Sequence, residues 1–186
     1  MITKFVEHLL FPTTVYQNEI PVNENEFTTM MEMDYERMPS DNGYMTRYKR
    51  ILTLLPDTRK SIEKHINYYA YDVLGISHKH KFHITTSWVN RHKTGDKAHT
   101  HFHANSLISG CYYLKMPESG GDICFPKPTN HNNFLSDTSI SIFGYLDFKS
   151  SVVVLLTTLL SISLSNSLTN YPIIYLSNSL INPLTI

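Results

Sequence analysis

The chain has 186 residues, enough for one domain with its own core. Its 16 basic and 16 acidic side chains cancel, so no net field draws it to nucleic acid or to a membrane surface. Cys111 and Cys124 form neither a C-x-x-C pair nor a disulfide framework, and they read as buried thiols of a reducing compartment.

Residues 1–8 hold Glu7 and no long apolar run, so no signal peptide is expected. Residues 9–16 form a short β-rich segment. Residues 23–38 predict an amphipathic helix, with Phe27, Met30, Met31 and Tyr35 at helical spacing and an acidic first turn. The methionines read as core filling. A loop is expected at 39–43. A second helix spans 57–74, with Ile62, Ile66, Tyr69, Ala70 and Val73 as its apolar face and Gly75 as its stop.

The pattern then turns to period two. Phe82, Ile84, Thr86 and Trp88 alternate with His83, Thr85, Ser87 and Val89. A turn follows at 93–96, then a histidine-rich strand, then a buried strand at 107–114, a hairpin turn at 117–122 and a strand from Ile123. Helices followed by closely spaced strands predict an α+β fold, with the helices packed on a β-sandwich or barrel.

His99, His101 and His103 stand at i, i+2, i+4, which on a strand is one face. Imidazoles converging there suggest a metal site in the mouth of the sandwich. A solvated strand start that happens to be histidine-rich is the alternative. His78, His80 and His83 are interleaved with lysines and read as surface loop. His8, His65 and His92 are isolated and read as structural or exposed.

Residues 150–186 hold no Asp, Glu, Lys, Arg or His. A globular domain seldom leaves so long a stretch uncharged. A membrane anchor is disfavoured, because Ser, Thr and Asn break every apolar run before about 18 residues. A pair of buried strands is a second reading, with residues 152–156 the best candidate. The favoured reading is an aberrant tail, the product of a shifted reading frame or a degraded gene end. The expected organisation is one domain over 1–149, helical in 1–76 and strand-rich in 77–149, followed by the tail.

The ordered set Ser87-Trp88-Val89-Asn90, Gly95-Asp96, His101-Phe102-His103-Ala104-Asn105-Ser106 and Ser109-Gly110-Cys111-Tyr112-Tyr113-Leu114 resembles the 2-oxoglutarate/Fe(II)-dependent oxygenases of phage and marine bacterial genomes. The likeness covers roughly residues 5 to 128. It implies a double-stranded β-helix, or jelly-roll, incomplete at its C-terminal end. It implies Fe(II) and 2-oxoglutarate as cofactors and O2 as co-substrate. His101 and His103 fall in the metal-binding slot, where the wider superfamily has His-x-Asp/Glu; His99 and His101 are the alternative register. Tyr113 and Asn90 are the candidates for hydrogen-bonding the oxoacid carboxylates, with core packing as the other role for the tyrosines. Tyr112 and Tyr113 alternate, so only one of them can face the barrel interior.

The superfamily's distal histidine and its carboxylate-clamping Arg or Lys are missing from their expected place. The only later histidine is His131, too close to the first pair, and no arginine follows Arg91. The resemblance therefore implies an oxygenase of C–H hydroxylating type, impaired in this chain and cytoplasmic in a bacterium or a phage-infected host. A cupin-like metal binder or interaction module is the alternative. The substrate, small molecule or macromolecule, is not legible. No nucleic-acid or membrane partner is expected.

Overall fold

The computed structural model describes residues 14–39, 42–93, 95–96, 98–101, 103, 106–114, 123–125, 140–141, 152–157, 162–164 and 171–181. Expected features at 9–13 and 117–122, together with His131 and Lys149, lie outside the described residues.

The first strand, β1 (Val15–Glu19), leads into helix α1 (Glu24–Glu32). Asn23 starts that helix, its side chain accepting from the Asn25 and Glu26 N–H groups at 3.0 and 3.1 Å. The helix stops well short of residue 38. The guanidinium of Arg91 donates to the Met31 carbonyl and lies 3.7 Å over the Tyr35 ring. A distant strand thus satisfies a carbonyl of the helix end. Residues beyond it form a hairpin instead, β2 (Tyr35–Arg37) against β3 (Tyr44–Thr46). Of the methionines, Met30 is fully buried while Met31 is 38% exposed.

Helix α2 (Pro56–Asn67) has proline in its first turn, where the missing N–H costs nothing. The carboxylate of Glu26 caps it from α1, accepting from the Asp57 and Thr58 N–H groups at 2.8 Å each. The helix continues as one wide π-turn, Tyr68–Val73. Tyr69 and Ala70 stay buried, with the Tyr69 hydroxyl donating to Thr14 O, but Val73 is turned outward. Gly75, at φ +67°, ends the helix in the left-handed region.

All remaining strands are antiparallel. They are β4 (Lys81–His92), β5 (Ala98–His101), β6 (Ile108–Tyr113), β7 (Ile123–Phe125), β8 (Ile140–Ser141), β9 (Val152–Thr157), β10 (Ile162–Leu164) and β11 (Tyr171–Ile181). The larger sheet has the order β1-β9-β6-β11-β4-β3-β2, the smaller β5-β10-β7-β8. From β4 onward the chain passes between the two sheets and pairs strands far apart in sequence, β11 with β4 and β10 with β5. That winding is a jelly-roll. Three of its strands, β9, β10 and β11, come from the uncharged stretch 150–186.

Ile20, Met30, Ile62, Ile66, Val89 and Tyr112 belong to one core that joins the helices to one face of the large sheet. Cys111 is fully buried, and burial pushes its thiol far up, so it is an inert core thiol. No described helix is long and apolar enough to cross a membrane.

Candidate metal centre

A tight turn reverses the chain between β4 and β5. Lys93 N–H donates to the Asp96 carboxylate at 2.7 Å, Asp96 N–H donates to Lys93 O at 3.0 Å, and Gly95 takes φ +90°. This brings β5 past the end of β4. The strand ends at His101, so His103 stands two residues beyond it instead of on the strand, where the i, i+2, i+4 pattern puts it. On the far side, the Ser106 hydroxyl donates to Ile108 O at 2.8 Å and accepts from the Ser109 hydroxyl at 3.3 Å, fixing the entry to β6.

The His101 and His103 rings meet edge to face, 5.1 Å between centroids. The Trp88 ring lies 5.6 Å from that of His103. His103 Nε2 is buried and has no hydrogen-bond partner among the described residues. Burial, and then the neighbouring His101, push the His103 imidazole down to about 4. At neutral pH His103 is therefore an uncharged nitrogen donor. His99 lies on β5, and its side chain falls outside the described residues.

The depressed basicity has a measurable consequence in metal-free protein. As pH falls from about 6.5, the unfolded chain takes up the proton that the folded chain refuses until about 4. Stability contributed by the neutral ring is complete above 6.5 and is lost progressively down to 4. Denaturant unfolding at several pH values in the presence of chelator should show a shallower acid limb for His103→Gln. Identical limbs would mean that the ring is solvated.

Trp88 and Asn90 share one face of β4, while Val89 between them sits in the helix-side core. Asn90 therefore lies on the His103 side of the sheet. It is buried, and its Oδ1 has no partner among the described residues. Tyr112 takes the helix side, its hydroxyl donating to Ile20 O at 3.2 Å, which leaves the barrel side to the buried Tyr113. Ile173 of β11 is in register with both Asn90 and Tyr113, so these two stand in one row, about 10 Å apart across the intervening strand. Trp88 was given no role by sequence reasoning. The signal was the period-two pattern that puts it on the face of Asn90.

Two imidazoles make an incomplete set. Among the described residues no group of three or more His, Cys, Asp or Glu converges to hold a metal. Strand β10 pairs with β5, with Ile162 opposite His101, and it contains no His, Asp or Glu.

Residues 86–144 match the family model described as "Putative 2OG-Fe(II) oxygenase". No curated protein matches the chain in sequence. Among solved structures, the chain is similar to an oxidoreductase of the 2OG-Fe(II) oxygenase family from Burkholderia pseudomallei, with TM-score 0.58 and 13% identity over 84% of this chain and 77% of that one. A prolyl-4-hydroxylase from Pseudomonas putida gives 0.55 and 8%, over 89% and 91%. HygX from Streptomyces hygroscopicus, solved with nickel and 2-oxoglutarate bound, gives 0.58 and 11%, over 90% and 83%. At such identities these likenesses speak for the fold.

Proposed function

We propose, from the match of residues 86–144 to the model of the putative 2OG-Fe(II) oxygenases, that this chain is an oxygenase of hydroxylase type whose metal centre is reduced to a histidine pair. The observation that carries this reading is His103 Nε2, a buried, neutral nitrogen without a partner among the described residues, in ring contact with His101. Such a pair fits nitrogen ligation of a divalent cation. It falls short of a three-ligand catalytic site, because among the described residues no third His, Cys, Asp or Glu joins the pair, and no arginine follows Arg91 in the sequence to clamp the oxoacid. In an intact family member, iron supplies oxidation of a substrate C–H bond coupled to decarboxylation of 2-oxoglutarate.

In this chain His101 and His103 would hold the cation and Trp88 would cover the second ring. Asn90 and Tyr113 would offer hydrogen bonds to the oxoacid from one row of the sheet. The incomplete ligand set argues for weak binding and very low turnover. The uncharged composition of 150–186 is the ground for a shifted reading frame as the cause, and against it stands the supply of β9, β10 and β11 from that stretch to the two sheets. Translating the coding DNA beyond the codon of Phe125 in all three frames tests that origin. A frame giving a distal His with an Arg about ten residues later supports it, and three frames without one oppose it.

The absence of any ligand residue in β10 favours a second reading, a cupin-like metal binder without enzymatic activity. Calorimetric titration with Mn(II), paired with an assay of 2-oxoglutarate-dependent CO2 release, addresses both readings. The expected result is weak one-to-one binding, lost in the His101→Ala/His103→Ala double variant, and CO2 release at background. Robust release that depends on His103 would sink the impaired-enzyme reading. Metal binding that survives the double variant would sink both.

A further inference from the structure

On the helix side of β4, away from the histidine pair, an open cavity of about 390 Å³ lies between the turn at 51–53, helix α2 and the strand. Arg50 and Arg59 line it, together with the apolar Leu52 and Ile84. The position of the turn is well fixed. Ser87 Oγ accepts from Leu52 N–H at 3.1 Å, and Ser87 N–H donates to Lys49 O at 2.9 Å. The cationic side chains therefore stand on a tied backbone.

The charges are only partly compensated. Arg59 gives its Nε to Glu63 at 2.8 Å, which leaves four of its five N–H donors. The Arg50 side chain makes no hydrogen bond or ion pair among the described residues, and it is exposed. Leu52 is buried and Ile84 packs against the main core. Two forked cations, one from the turn and one from α2, border a space with an apolar base.

A planar carboxylate accepts along one edge, whereas a tetrahedral dianion accepts from several directions. The apolar base and the volume call for more than a bare ion. We propose that this groove binds an organic phosphate monoester, its head between Arg50 and Arg59 and its carbon body on Leu52 and Ile84. The reading does not depend on the metal centre, because Trp88 and Asn90 point to the opposite face of β4.

Phenyl phosphate is the probe, titrated calorimetrically into the full chain, with benzoate and inorganic phosphate as comparisons. One-to-one binding of phenyl phosphate is expected, with both comparisons at least tenfold weaker. Arg50→Gln and Arg59→Gln should each weaken phenyl phosphate about tenfold. Lys64→Gln, an equal charge change at an exposed position of α2, should leave binding unchanged, as should His101→Ala/His103→Ala. Failure to saturate overturns the proposal, and so does equal loss in the Lys64 variant, which would mean diffuse surface charge. Benzoate binding as tightly overturns the choice of phosphate. Inorganic phosphate binding as tightly overturns the role of the floor. Loss in the double histidine variant would move the probe into the barrel.

Discussion

Glu26→Ala is expected to remove about 3 kcal/mol of stability and to lower Tm by roughly 6–12 °C. Glu26 is only 7% exposed, and its two carboxylate oxygens accept separately from Asp57 and Thr58 N–H. Charge-assisted bonds of this kind contribute about 1.5–3 kcal/mol each, and the carboxylate also faces the positive end of the α2 dipole. Removal leaves two orphaned donors at the start of the helix. It also loosens α1 from α2, which then keep the Asn23 Nδ2 bond to Asp57 at 2.8 Å and their shared apolar core. Glu26→Gln keeps one good acceptor and should fall between wild type and alanine. Chemical denaturation of the three proteins decides it. A loss below about 0.5 kcal/mol for alanine would show that water replaces the carboxylate without penalty.

The second large effect is a gain. A histidine placed at 162, opposite His101 in the β5–β10 register, should raise divalent metal affinity at least tenfold, about 1.4 kcal/mol. Residues directly opposed in an antiparallel pair have Cβ atoms about 5 Å apart. An imidazole reaches a metal at about 2 Å, so rings from 101, 103 and 162 can converge on one cation. Calorimetric titration of Ile162→His and Ile162→Ala with Co(II) separates a new ligand from a mere change of volume. Equal affinities in the two variants would place position 162 out of reach of the pair.

Several elements were legible because their cause is local. The 3.6-residue spacing of Ile62, Ile66 and Tyr69 found α2, and the alternation around Trp88 found β4. The spacing of His101 and His103 found the ring pair, although β5 ends between them. What escaped depends on distant partners. Helix α1 stops where Arg91, sixty residues later, reaches its end, and no local propensity encodes that. The wide turn at Tyr68 leaves Val73 exposed while the Tyr69 hydroxyl reaches Thr14 O, fifty-five residues away. Arg50 and Arg59 share no period with Leu52 and Ile84, so their groove exists only in three dimensions. In the uncharged stretch, the β9 segment was the foreseen strand candidate. The pairing of β11 with β4 and β6 is a non-local fact that composition does not carry.

The position of β11 bears on how the protein comes to exist at all. Strand β11 fills the gap between β4 and β6, and β9 fills that between β6 and β1. While residues 171–181 are still inside the ribosome, the backbone edges of β4 and β6 that face each other have nothing to pair with. Such open edges attract any extended chain nearby. Pairings this far apart in sequence also form slowly. Nascent chains should therefore pass through an adhesive interval that closes only once residues 171–181 have emerged, and yield in a cell should depend on chaperones more than the finished fold suggests.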